Sequence, residues 1–181
     1  MFTLSLDDEL SLSLVQHSYA KDYYRIVCGE REYLSEWLAW PPHANGEAFF
    51  EQFIKGALHG YAEGKSLTCA MIYQGNVVGN VSFNSISRSL KKVEIGYWLS
   101  NEYQGKGIAS RCVLALVQLA FDEMGIEKVQ IAAATGNQPS RRLCERLGFR
   151  LEGVITNAED LNGRIVDHAI YGLRSGQEEQ A

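Results

Sequence analysis

Apolar and polar positions alternate with period two in some stretches of this chain and recur every three or four residues in others. An alternating run from Leu4 to Val15 places Leu10, Leu12 and Leu14 on one face. It predicts a single strand passing through Asp7-Asp8-Glu9. Ala20 to Cys28 and Tyr33 to Leu38 have the spacing of amphipathic helices. Pro41-Pro42 then forces an extended loop. Glu47 to Glu63 sets Phe49, Phe50, Phe53, Ile54, Ala57 and Leu58 on one side of a helix, with Asn45 as its N-cap and Gly64 as its stop. Ser66–Tyr73 and Val77–Phe83 are strands joined by a hairpin turn at Gln74-Gly75-Asn76, and Lys92–Leu99 is a third strand. Val113, Leu116, Val117, Ala120 and Phe121 mark a helix that ends near Gly125. Val129–Ala134 is an apolar strand. Asn137-Gln138-Pro139-Ser140 opens a helix that Leu147-Gly148-Phe149 closes. Leu151–Thr156 and Ile165–Leu173 are the last strands, turning at Asn162-Gly163, and the polar tail from Ser175 is expected to fray.

This order predicts an α/β (α+β) domain in which helices cover a mixed sheet. Strand 92–99, the helix after it and strand 128–134 form a β-α-β crossover, so the two strands are expected to be parallel neighbours. No repeat or linker divides the chain, and residues 1–181 are expected to form one domain.

Composition narrows the partners. The net charge of −5 and the absence of a lysine or arginine run argue against nucleic acid and favour a cationic or amine-bearing partner. Cys28, Cys69, Cys112 and Cys144 are scattered, as are His17, His43, His59 and His168, so no metal site is expected and the thiols should be free in a reducing cytoplasm. No segment reads as a signal peptide or membrane span.

The chemistry centres on Glu102-Tyr103-Gln104-Gly105-Lys106-Gly107-Ile108-Ala109, a strand-to-helix turn with two glycines and a lysine. Glycines let backbone approach a ligand, and the first turn of a helix offers unpaired N–H groups and a positive dipole end. Such a turn suits a phosphate or pyrophosphate. A tight turn without ligand is the plainer reading of one G-x-G. The dinucleotide fingerprint fails, because Ser110 stands at its third glycine and Glu127 precedes its strand rather than ending it. The pattern left is Gln-x-x-Gly-x-Ala from Gln104 to Ala109.

That pattern resembles the acyl-CoA-binding motif of the GNAT N-acetyltransferases. The resemblance extends over most of the chain and points to the ribosomal-protein-serine branch. Trp40-Pro41, Val81-Ser82-Phe83-Asn84, Glu94-Ile95-Gly96-Tyr97-Trp98-Leu99, Gln104-Gly105-Lys106-Gly107-Ile108, Asn137, Ser140, Leu147-Gly148-Phe149 with Glu152-Gly153, and Leu161-Asn162-Gly163 carry it. It implies the GNAT fold and direct transfer of acetyl from acetyl-CoA to an amine. The implied acceptor is a protein N-terminus of ribosomal type, and a homodimer is left open. A small amine such as a polyamine, amino acid or antibiotic, or a non-catalytic acyl-CoA-binding module, are the alternatives. Retention of Glu102, Asn137 and Ser140 argues against the last.

The resemblance also implies roles. Gln104, Gly105, Lys106, Gly107, Ile108 and Ala109 cradle the cofactor, and Asn137 bonds the pantetheine arm. A backbone N–H near Trp98 or Leu99 receives the developing oxyanion. Glu102 is the general base, with Glu94 as the other candidate. The tyrosine that many members place before Leu-Gly-Phe is Cys144 here, and Ser140 takes its role beside the leaving thiolate. Structural roles stand beside each of these: solvated charge for Glu102 and Lys106, a salt bridge for Glu94, helix capping for Asn137 and Ser140. Trp37, Trp40, Pro41, Pro42 and His43 either wall the acceptor pocket or belong to the core.

Overall fold

The computed structural model describes residues 3–176. Strands β1 (Thr3–Ser5), β2 (Leu10–Leu14), β3 (Leu67–Tyr73), β4 (Asn76–Ser87), β5 (Lys92–Leu99), β6 (Lys128–Ala134), β7 (Arg150–Asp160) and β8 (Ile165–Arg174) form one sheet, in the order β1-β2-β3-β4-β5-β6-β8-β7. Helices α1 (Ala20–Ser35) and α2 (Glu47–Ala62) pack on one face; α3 (Ile108–Gln118) and α4 (Gln138–Arg146) lie on the other. The predicted crossover is present: β5 and β6 are parallel, and every other neighbouring pair is antiparallel.

Two apolar cores match the two faces. Odd residues of β5 (Val93, Ile95, Leu99) pack with Cys112, Val113 and Leu116 of α3. On the opposite face Trp98 packs with Tyr23 of α1 and Phe50 of α2. The period-two alternation of a strand produces this division.

Several boundaries differ from the sequence expectation. The first strand is a hairpin, because Asp7 Oδ1 accepts from the N–H groups of Glu9 and Leu10, both at 2.9 Å, and turns the chain. The two expected helices before Trp37 are one, α1, kinked at Glu30 (φ −126°, ψ 24°). Pro41–His43 is a turn of 3-10 helix, not an extended loop; its N-cap Trp40 stays right-handed, and the proline ring suits the first turn. Gly46, not Asn45, stands at the N-cap of α2, without a side-chain cap bond. Strand β4 runs on to Ser87 through a bulge at Asn84. Ser175 is tied by its N–H to Glu127 O (3.0 Å), and residues 177–181 of the expected frayed tail lie outside the described residues. Among the described residues, no helix is long and apolar enough to cross a membrane, and no group of His, Cys, Asp or Glu is placed to hold a metal ion.

Candidate active site

The parallel pairing of β5 and β6 is short. It runs from Lys92↔Lys128 to Glu94↔Gln130 and then stops, while both strands continue to Leu99 and Ala134. Past Glu94 the strands splay apart. The opening joins both faces of the sheet in one cavity of about 1420 Å³.

The α3/α4 side of this cavity is centred on a backbone turn. Gly105 (φ 77°) and Gly107 (φ 69°) hold left-handed conformations that a side chain resists, and no atom lies within 4 Å of where their Cβ atoms would stand. Gly107 is the N-cap of α3 and supplies no side-chain cap, so the first N–H groups of the helix face this open space. From behind, Arg111 fixes the turn: it donates to Lys106 O (3.3 Å) and Gly107 O (3.4 Å), and it pairs with Asp7. Gln104 Nε2 donates to Leu99 O at 3.2 Å, joining the turn to the strand end. Arg142 and Arg146 of α4 line the same side, and Arg146 donates to Ser110 Oγ (3.2 Å). These groups fit a phosphate-bearing acyl carrier. Lys106 is exposed and outside the cavity wall.

Ladder alternation orients the N–H groups of β5. Ser100 N–H donates to Val78 O on the β4 side, and Lys128 N–H donates to Lys91 O on the β6 side. Even residues of β5 therefore bond toward β4, and odd residues face β6. Beyond Glu94 that direction is the gap, so the N–H groups of Tyr97 and Leu99 point into it. Of the two expected oxyanion donors, Leu99 has this orientation and Trp98 faces β4.

At the same level, Asn137 caps α4, its Oδ1 accepting from Ser140 N–H at 3.3 Å. Both residues line the cavity, so capping and ligand contact coexist. Tyr97 donates its hydroxyl to Ser140 Oγ at 3.2 Å, and burial pushes the Tyr97 phenol up to about 12. Cys144 is fully buried and absent from the wall; burial pushes its thiol up to about 12 as well.

The α1/α2 side is built from side chains. Asn80, Ser82, Asn84, Glu94 and Trp98 form part of its floor, and Tyr33, Trp37, Trp40, Phe49 and Phe53 its walls. Trp98 meets Tyr23 edge-on at 5.5 Å and Trp40 at 5.8 Å, so Trp98 and Trp40 belong to both core and wall. Glu94 accepts from Gln130 Nε2 at 3.1 Å at the vertex of the splay. Glu159 and His168 also line this side, and Glu159 Oε2 meets His168 Nε2 at 2.9 Å. Sequence reasoning missed this pair, because β7 and β8 carry no motif there; only the alternation phase of β8 would have put His168 on the same face as Ala134, its partner on β6. Glu102 is exposed and off the wall, in the 3-10 turn Asn101–Tyr103 that holds the end of β5 to α1. The contact there is made by Glu30, whose carboxylate accepts from Ser100 Oγ (2.7 Å) and Asn101 N–H (2.8 Å).

A roof closes the acceptor side. Asn162, in the β7–β8 turn, donates to Ala39 O (3.0 Å) and meets His43 Nε2 (3.0 Å). Arg164 lies over Trp37 at 5.0 Å and donates to Glu36 O. The loop after α1 is thereby fastened to the far edge of the sheet.

Known proteins share this architecture. A family model for the acetyltransferase (GNAT) domain matches residues 9–150. A ribosomal-protein-serine acetyltransferase of Escherichia coli is 28% identical over 169 residues, covering 93% of this chain and 94% of that protein. The solved structure of the microcin self-immunity acetyltransferase MccE with acetyl-CoA and AMP superposes with a TM-score of 0.89 at 31% identity, covering 93% of this chain and 94% of that one. RimL, a ribosomal alpha-N-protein acetyltransferase solved with coenzyme A, gives a TM-score of 0.91 at 27% identity, covering 95% and 97%.

Proposed function

The chain belongs to the GNAT acetyltransferase family, and from that premise we propose that it acetylates a protein N-terminal α-amine, of the ribosomal-protein-serine type. As a member of this family it is an N-acetyltransferase that uses acetyl-CoA. The observation that carries the reading is the splay of β5 from β6. It gives one cavity a backbone-lined side and a carboxylate-lined side that meet through the sheet.

In this reading the Gly105–Ala109 turn and the start of α3 hold the pyrophosphate, and Asn137 holds the pantetheine arm. The acceptor nitrogen attacks the thioester carbon from the α1/α2 side. A C–N bond forms, the carbonyl oxygen takes the charge, and the N–H groups of Leu99 and Tyr97 receive it. The C–S bond then breaks, and Ser140 Oγ–H donates to the departing sulfur.

The amine proton needs an acceptor. Glu94 sits at the vertex of the splay. Ala134, which pairs with His168, lies four residues further along β6, roughly 13 Å at strand rise, and level with Trp98. Glu159, held by His168, therefore stands at the height of the oxyanion donors, and we assign it the base role in place of Glu102. A carboxylate base suits an α-amine, whose pKa is near 7.7–8.0, better than a lysine near 10.4. The gap of about 2.5 units is worth roughly 3.4 kcal/mol of deprotonation. Glu36, Glu94 and Glu159 give the acceptor side an acidic wall that draws such an amine.

A small-molecule amine is the second reading. The aromatic wall of Trp37, Trp40 and Phe49 supports it, as does the AMP bound by MccE. Acetyl-CoA incubated separately with serine-initiated peptides, polyamines, aminoglycosides and an aminoacyl nucleotide separates the two. Acetylation confined to the peptides is expected, and turnover of only a small molecule would reverse the assignment.

A further inference from the structure

We propose that Tyr97 is a positioning residue that aims the hydroxyl proton of Ser140 at the leaving sulfur. This rests on the role of Ser140 given above and extends it to a residue that no motif singled out for chemistry. A serine hydroxyl has one proton to donate and two lone pairs to accept with. Tyr97 O–H fills one lone pair at 3.2 Å. The Ser140 proton must then point away from the tyrosine. The two residues come from opposite walls of the gap, β5 and the first turn of α4, and both line the cavity.

Two features support this direction. Burial pushes the Tyr97 phenol up to about 12, so it keeps through the working range the proton that it donates to Ser140 Oγ. The backbone around Ser140 is also hydrogen-bonded. Its N–H goes to Asn137 Oδ1, and the carbonyls of Gly136 and Asn137 accept from the N–H groups of Gln138 and Arg141. Ser140 Oγ bonds Tyr97 rather than these carbonyls, the usual partners of a serine in a first turn. Donation from Tyr97 also polarises the Ser140 O–H and makes it a better donor to sulfur. The phenol replaces, from β5, the tyrosine that Cys144 displaces from α4: it acts on the serine, and the serine acts on the thioester.

The test is a double-mutant cycle of Tyr97→Phe and Ser140→Ala in the full chain. Thiol release from acetyl-CoA is followed with a serine-initiated peptide as acceptor, or with spermidine where the peptide is inert. Phenylalanine keeps the ring packing, and thermal melts verify that each variant is folded. Tyr97→Phe is expected to lower kcat about tenfold, the rate equivalent of one hydrogen bond, with KM for acetyl-CoA unchanged. In the Ser140→Ala background the same change should cost nothing further. Additive losses would make Tyr97 an independent donor and overturn the proposal. A loss in Ser140→Ala with none in Tyr97→Phe would overturn the proposal and leave the serine role standing. Unchanged kcat in Ser140→Ala would overturn the serine role and this inference together.

Discussion

The two sides of the β5–β6 splay are made of different material. On the α3/α4 side the cradle and the oxyanion donors are backbone N–H groups, set by two left-handed glycines, an uncapped helix start and a strand that has lost its neighbour, and the start of α4 and its two arginines add side chains. On the α1/α2 side they are side chains from α1, α2, β4, β5, β7 and β8. A backbone site is specified by conformation, so one short stretch of sequence encodes it. A side-chain site is specified by which elements meet, and no short stretch encodes that. The first side is therefore suited to a constant acyl carrier, and the second can vary with the acceptor.

The contrast can be broken most sharply at Gly107. At φ 69° a valine is strained, and its side chain would enter the open space before α3. Gly107→Val is expected to weaken acetyl-CoA by at least about a hundredfold in calorimetry, two factors of ten at about 1.4 kcal/mol each. Unaltered affinity would mean that the cradle lies elsewhere.

Glu159→Gln tests the other side. Acetyl-CoA affinity should hold while kcat falls on the order of 10²-fold, the usual lower range for a lost base. The loss should be greatest below the pKa of the acceptor amine and shrink as rising pH frees the amine unaided. Glu102→Gln should follow the parent at every pH. A profile in which Glu94→Gln alone shows the defect would move the base to the vertex.

A smaller effect is expected where the acceptor side rests on α1. Buried Tyr23 donates its hydroxyl to buried Asn80 Oδ1 at 2.9 Å. Tyr23→Phe leaves that oxygen unpaired at a cost of about 1–3 kcal/mol. For a chain of this size Tm should drop by roughly 2–4 °C per kcal/mol, with acetyl-CoA affinity intact. A melt identical to the parent would show that the bond contributes nothing.

The smallest effect separates the thiols. Burial pushes Cys69, Cys112 and Cys144 up to about 12, whereas Cys28 is exposed on α1. Brief iodoacetamide treatment of the folded protein should modify Cys28 alone and leave acetyl-CoA turnover unchanged. Rapid labelling of Cys144 would contradict its burial and return it to the list of groups near the leaving sulfur.

The sequence by itself determined the α/β class, the β5-α3-β6 crossover and the glycine turn. Each of these is a local matter: period-two or helical spacing within one element, and a turn that requires glycine at positive φ. It also placed Asn137 and Ser140 correctly at the start of α4, because Pro139 and an N-cap residue mark a helix start without any partner. The tertiary structure alone decided where β5 and β6 part, since nothing in Lys92–Leu99 records that pairing ends at Glu94. It alone set Glu102 outside the cavity and brought in Glu159 and His168, whose positions depend on β8 lying between β6 and β7. It also joined Tyr97 to Ser140 across 43 positions of chain. Contacts of that kind are fixed by strand order and register, which many distant residues decide together.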